Sequence, residues 1–390
     1  MAEETEVGEP GGKTGEEHRE YWFEFFYDLV LAAALASMHD AFLKNFTVQT
    51  AVITGSVAAI LFTIWLLTTL QMNRFPRRQP FRRLALLVQM AAMVVVALTA
   101  DRSSGIPLNA GLIAYVIALL TVAFLYWQSL PQMPVPRARV QRRIVGFLAL
   151  AAIVVSLAVW LPPSFALPVL YVALAISVIS MGLGYPSPSE EYHNVDIGHL
   201  NERLGAFILI VIGMAFAQLV VDLNGLQGLP DWRFFALVFV LMFTLWWMYF
   251  GLGVHERRYA TSRFRFVWIA GHYLILIGVV GMTDVLTALA ADRESVVAQI
   301  GIAYLGLMAA SVLLGFAVFM LMIQGLGVRA AIGLASLALL ALTYGVVVER
   351  TSHHGLRVAS TVVVLGLVLG AVGLAIATHR GRPRSRLRLR

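Results

Sequence analysis

Residues 108–130, LNAGLIAYVIALLTVAFLYWQSL, contain no charged side chain. A helix rises about 1.5 Å per residue, so about 20 apolar residues cross a hydrocarbon core of roughly 30 Å. This stretch is long enough to do so. It stops at Pro131, where a proline- and arginine-containing segment runs to Arg143. The same ruler, applied outward in both directions, predicts helices at 22–43, 50–72, 83–101, 108–130, 143–161 and 165–184. A second set follows at 199–221, 231–251, 265–290, 295–322, 328–348 and 356–378. The breaks fall at Arg74-Phe75-Pro76-Arg77-Arg78, at Pro162-Pro163 and at Tyr185-Pro186-Ser187-Pro188. The predicted fold is all-α: a polytopic transmembrane helix bundle of about twelve spans.

Composition agrees. Hydrophobic residues make up 59% of the 390-residue chain, charged residues 13%, and the mean hydropathy is +0.79. A soluble domain averages about 45–50% apolar and about 25% charged. The surplus apolar side chains exceed what a soluble core of this length can bury, so the lipid bilayer is the first implied partner. Cysteine is absent. Disulfides, thiolate metal sites and cysteine nucleophiles are therefore excluded. No Walker loop, zinc-type His-Glu-x-x-His or Gly-x-Ser-x-Gly elbow occurs, so no cofactor or metal is implied. The lone His353-His354 pair does not make a metal site.

The formal net charge is +7. Nucleic-acid binding is not the reading, because the arginines sit between apolar runs, where they set topology. With the N-terminus inside, cytoplasmic segments carry about 22 of the 29 basic residues. Outer segments carry about 6, and Arg203 lies within a helix. The positive-inside rule then places both termini in the cytoplasm and the chain in the inner (plasma) membrane. Residues 1–20 hold seven glutamates and no apolar run. They read as a disordered acidic tail and not as a signal peptide. Residues 21–378 form the membrane domain, divisible into halves at 21–184 and 199–378. Residues 379–390 are an arginine-rich tail facing anionic inner-leaflet lipid.

An ionisable group inside a span is costly unless paired or hydrated, so each one asks for a partner. On the first helix, Glu24 and Asp28 are four residues apart and share a face. On the seventh, His199 shares a face with Glu202 or with Arg203. On the ninth, His272 sits about a third of the way in. Asp28, Glu202, Arg203 and His272 fall at similar depth in the inner third, and Asp28 and Arg203 are expected within salt-bridge reach. Glu24, Asp28, His199, Glu202, Arg203 and His272 are the candidate residues of a substrate or proton site. A static polar lock is the structural alternative. His39, Asp40 and Asp284, nearer the outer edge, are expected to be solvated helix ends. Gly205, Gly213, Gly278 and Gly281 are expected to allow close helix approach, and most of the clustered aromatics to form interfacial belts.

Glu24-Phe25-Phe26-Tyr27-Asp28-Leu29-Val30 resembles the first-helix signature of the bacterial low-temperature-requirement A (LtrA) family, roughly E-L-F-F-D-L-V-F. His199-Leu200-Asn201-Glu202-Arg203-Leu204-Gly205 is similar to that family's H-x-x-E-R-F/L-G segment. Trp246-Trp247-Met248-Tyr249-Phe250 matches its W-W-x-Y-F stretch, and His272-Tyr273 falls near its polar position on the next helix. The resemblance covers residues 20–380. It departs at Met214 and Gly251, where relatives usually carry acidic residues. The resemblance implies a multi-pass membrane fold linked to growth in the cold, without a defined biochemistry.

The residues themselves favour a secondary transporter or channel, for a small-molecule or ion substrate, over an enzyme. Buried carboxylates in a helix bundle are where coupling usually resides. The alternatives are a membrane-embedded enzyme acting on a lipid-borne substrate, with Asp28 or Glu202 as acid or base and His272 as shuttle, or a non-catalytic envelope factor for growth in the cold. Six spans per half, with Asp28 and Glu202 near equivalent helix starts, permit a parallel duplication. The orientation is checked by fusing alkaline phosphatase at Gly381. The fusion is expected to be inactive, and high activity would mean an odd number of spans or inverted insertion.

Overall fold

The computed structural model describes residues 15–44, 47–75, 81–101, 104–183, 196–224, 232–251, 265–290, 301–322, 327–351, 361–370 and 373. Residues 1–14 of the acidic tail, the arginine tail at 379–390, and His353-His354 lie outside them. The described residues form twelve helices. In order they are α1 (Gly15–Lys44), α2 (Val48–Arg74), α3 (Arg82–Leu98), α4 (Leu108–Gln128), α5 (Val135–Ala158) and α6 (Ala166–Leu183). There follow α7 (Ile197–Asn224), α8 (Trp232–Trp246), α9 (Arg265–Ala290), α10 (Gly301–Met322), α11 (Gly327–Thr351) and α12 (Thr361–Gly370).

Each helix stands where sequence placed a span. Nine of them, α1, α2, α4 to α7 and α9 to α11, are long and apolar enough to cross a membrane. α3 has 17 residues, and the apolar stretches Phe235–Phe250 and Thr361–Gly370 are shorter than a full span.

Local chemistry explains the ends. α1 starts at Gly15, well before its apolar run at Trp22. Residues 15–20 are thus helical. Thr47 caps α2 by accepting the Thr50 backbone N–H at 3.2 Å. α5 starts at Val135 and not at 143, behind Pro134. Its first turn accepts Pro136, whose missing N–H costs nothing there. Arg139, Arg142 and Arg143 therefore ride on helix and not on loop. The prolines at 162–163 close a 3₁₀ turn, Pro163–Phe165, between α5 and α6.

α2 is the hub of the first half and touches α1, α3, α4, α6, α7 and α9. α1 joins the halves as well, packing on α3 within its own half and on α7 and α9 in the other. The neighbour chain α1–α3–α4–α5 recurs in the second half as α7–α9–α10–α11. Lipid-facing and buried helices separate clearly: the span of α9 is 72% buried, whereas that of α11 is 22% buried.

Small residues set the closest seams. An ideal Cβ at Gly306 of α10 would lie 2.6 Å from the Ala341 carbonyl oxygen of α11, and one at Gly345 would lie 2.7 Å from that of Ile302. Gly278 and Gly281 likewise meet α10. Gly205 has only ordinary van der Waals neighbours, and a Cβ at the lipid-facing Gly213 would meet nothing within 4 Å. Those two glycines do not mark close approaches. In detergent, Gly306→Ala is expected to destabilise the protein by about 1–3 kcal/mol, the usual cost of overpacking. Gly213→Ala is expected to stabilise it by up to about 1 kcal/mol, through helix propensity alone. Thermal unfolding of both variants checks the contrast. Equal midpoints would show that the α10–α11 seam can yield.

Candidate functional site

The inward stripe of α1 recurs at helical spacing: Glu24, Tyr27, Asp28, Leu31, Leu35, Met38, His39 and Phe42 are all buried, while Trp22, Phe26 and Leu29 are exposed. Two polar clusters lie along this stripe, eleven residues apart between Asp28 and His39. That separation is three turns, roughly 16 Å along the helix.

The first cluster gathers around Asp28, which is fully buried. Its Oδ1 accepts from Arg203 Nη2 of α7 at 2.9 Å and from Trp65 Nε1 of α2 at 2.7 Å. One turn nearer the helix start, Glu24 lies among three basic side chains. His199 Nε2 is 3.3 Å from Oε2, Arg203 Nη1 is 3.8 Å from the same oxygen, and Arg82 Nη2 of α3 is 3.7 Å from Oε1. Two carboxylates thus face two guanidiniums, all four buried, and their charges cancel. His199 stands at the rim with its side chain 25% exposed. α7 is fixed here by its own start: Asp196 Oδ1 accepts the His199 backbone N–H at 3.2 Å. Asn73 at the end of α2 clips the same residue with two hydrogen bonds, to the Asp196 carbonyl at 2.9 Å and from its N–H at 2.7 Å.

Behind the ion pairs lies a neutral polar layer. Tyr27 donates to Gln89 Oε1 at 2.8 Å, and Thr68 donates to the same oxygen at 3.1 Å. Above Trp65 the helices are sealed by aromatic rings. Trp65 stacks on Phe207 at 4.7 Å, and Phe62 lies 5.8 Å from both Phe207 and Tyr273.

The candidates sort as follows. Glu24, Asp28, His199 and Arg203 come together, and the Asp28–Arg203 contact expected from sequence is present. Glu202 is exposed and has no ion pair among the described residues. His272 is fully buried elsewhere. Its Nδ1 lies 2.9 Å from the Trp268 carbonyl, so that nitrogen donates, and Nε2 accepts from the Tyr249 hydroxyl at 2.8 Å. The rings of Trp268 and Phe319 stand 4.5 and 4.7 Å away. The neutral imidazole thus has both nitrogens satisfied, and no carboxylate is among its partners in the described residues. Tyr249 reaches it from a π-helical turn, Trp247–Gly251, that continues α8. The aromatic run there points partly inward and is not wholly an interfacial belt.

The second cluster corrects the sequence reading. His39 and Asp284 are not solvated helix ends; their side chains are 2% and 3% exposed, and His39 Nδ1 is hydrogen-bonded to Asp284 Oδ1. The side chain of Asp40 lies outside the described residues. Depth along a helix says nothing of which helix stands opposite, and α9 stands opposite α1 at this level.

Arg82 and Trp65 were not among the sequence candidates. Arg82-Arg83 reads as topogenic charge, and Arg83 is indeed exposed. Arg82, however, heads the buried stripe of α3 that continues through Ala85, Leu86, Gln89 and Met93. That helical spacing is the signal in the sequence that marks it.

The bacterial low temperature requirement A protein (LtrA) family model matches residues 20–380. The chain belongs to the LtrA family. Comparison with curated proteins gave no match. Both signature segments of the family contribute to the first cluster, Glu24 and Asp28 from one and His199 and Arg203 from the other. Of the two departures, Met214 is packed in the apolar core and Gly251 closes the π-helical turn.

Removing one partner of a buried ion pair strands the other charge. Asp28→Asn is therefore expected to destabilise the detergent-solubilised protein by about 3 kcal/mol. Arg203→Gln is expected to act non-additively with it in a double-mutant cycle, as contacting residues do. Additive effects in thermal or denaturant unfolding would show that the contact carries no coupling energy.

Proposed function

We propose that this LtrA protein is a secondary transporter or channel of the plasma membrane, with both termini cytoplasmic and twelve crossings in two related halves. Its polar site is formed by Glu24, Asp28, Arg82, His199 and Arg203. The observation that carries this reading is unfilled hydrogen-bonding capacity inside the cluster. Asp28 Oδ2 and Arg203 Nη1 are buried without a hydrogen-bond partner among the described residues. Leaving such atoms unfilled costs about 1–3 kcal/mol each, and more when charged. A small solute with both donor and acceptor groups would fill both, whereas a cation would occupy the carboxylate oxygen alone. The place supports the reading too. The cluster joins α1, α2 and α3 of one half to α7 of the other, at the helix ends that the arginine bias assigns to the cytoplasm. The recurring neighbour order of the two halves supports a parallel duplication, an arrangement in which sites lie between repeats.

A second reading is a static lock in a non-catalytic membrane factor. The charge balance of two carboxylates and two guanidiniums favours it, since such a set neutralises its own charge without a solute.

Flux separates the two. In proteoliposomes, tracer uptake of monovalent cations and of zwitterionic amino acids is measured for the wild type and for Asp28→Asn. For at least one solute class, uptake is expected to exceed protein-free vesicles, and Asp28→Asn is expected to lower it at least tenfold. No uptake of either class by correctly folded wild type would favour the lock.

A further inference from the structure

The second buried cluster has no part in the site just described, yet it holds the ionisable pair best suited to exchanging a proton. Histidine is the side chain whose ordinary titration falls near neutrality. Among the described residues, two histidines are buried in the bundle, His39 and His272. His272 is held by a tyrosine hydroxyl and a backbone carbonyl, so an added proton there would displace a hydrogen bond and meet no counter-charge. His39 instead faces the carboxylate of Asp284.

The geometry points to His39 and Asp284 as a proton-binding site at the opposite end of the bundle from the Glu24–Asp28 cluster, and to the proton as the coupling ion. This rests on the transporter reading above.

With Nδ1 directed at Asp284 Oδ1, that nitrogen keeps its hydrogen and donates it. Proton uptake converts a neutral imidazole beside a carboxylate into an ion pair, and release reverses this. Several groups among the described residues lie near the pair. From α10, the Tyr304 ring packs at a tilt against Phe42, with centroids 5.2 Å apart. Its hydroxyl lies 2.6 Å from the ideal Cβ position of Gly281, one turn before Asp284. From α7, Gln218 donates to the Ala36 carbonyl at 3.1 Å. Farther out, Lys44 pairs with Asp101 of the α3–α4 turn at 3.2 Å, largely in solvent.

Two further observations link the pair to transport. A buried ion pair gives little net stability over apolar replacements of similar size, so packing alone does not call for one here. The pair also binds the same two halves as the first cluster: Asp28 ties α1 to α7 and His39 ties α1 to α9. α1 is thus held across the inter-half interface at both ends, with the Trp65–Phe207 and Phe62–Tyr273 rings between. A change of charge at His39 alters one of the two ties and leaves the other intact.

The test uses the full chain with ring-¹⁵N histidine in micelles, and the same protein in proteoliposomes. The His39 signal is assigned by its loss in His39→Gln or, if that variant does not fold, by its shift in Asp284→Glu. The signal is expected to titrate between about pH 5 and 8, the histidine range. A pH gradient is expected to change wild-type uptake at least fivefold, and His39→Gln to reduce that response to less than twofold. A His39 signal that does not titrate in that range overturns the proposal, whatever the flux. Titration with an unchanged pH response of uptake in His39→Gln overturns the coupling. Titration with no wild-type uptake of any solute upholds the proton site and removes the transporter reading instead.

Discussion

A guanidinium held against a carboxylate away from water is the constraint on which the rest of this bundle depends. Taking either group out of water alone costs several kcal/mol, and the attraction between them offsets this only when geometry is close. Arg203 and Asp28 meet at 2.9 Å, and three helices must be aligned to keep them there. α1 brings the acid, α7 brings the base, and α2 supplies the indole of Trp65 to the same oxygen. The Asn73–Asp196 clip sets the height of α7 relative to α2, and so the height of Arg203. Glu24, Arg82 and His199 then complete the balance one turn away.

Around that fixed point, apolar packing is permissive. Lipid tails are as apolar as leucine, so helices in a membrane gain from close fit and from polar contacts more than from burial itself. The α9–α10–α11 side of the molecule shows the first means, with glycines facing backbone across each seam. The α1–α2–α7–α9 centre shows the second, with an ion pair toward one end of α1, a histidine–carboxylate hydrogen bond toward the other and aromatic rings between them. The two means fall in different places. Close-fitting glycine seams hold residues 265–351 together, whereas α1 is held to α7 and α9 by charged and polar contacts.

Much of this was legible in the sequence. Uninterrupted apolar runs such as 108–130 place helices because a backbone in lipid must satisfy its own hydrogen bonds. The pairing of Asp28 with Arg203 followed from equal depth and opposite charge. The two segments that resemble the family's signatures marked the family, which the match over residues 20–380 bears out. Arg82 was readable in principle, from its place at the head of a buried stripe on α3, but its neighbour Arg83 and the nearby loop arginines made topogenic charge the simpler reading.

What the sequence determined by itself is the set of helices, their order, and the position of each polar side chain along its helix. These are one-dimensional quantities, given by a fixed rise per residue and a fixed core thickness. Which helices stand side by side, and which way each turns, was decided only by tertiary structure. Glu202 and Arg203 are adjacent in sequence, yet the rotation of α7 buries one and exposes the other. His272 has the depth of the cluster but faces the cage of Tyr249, Trp268 and Phe319. His39 and Asp284, read singly, are helix ends near water, and they become a buried pair because α9 packs against α1 at their level. Rotation and adjacency depend on contacts between residues distant in the chain, so no local spacing encodes them.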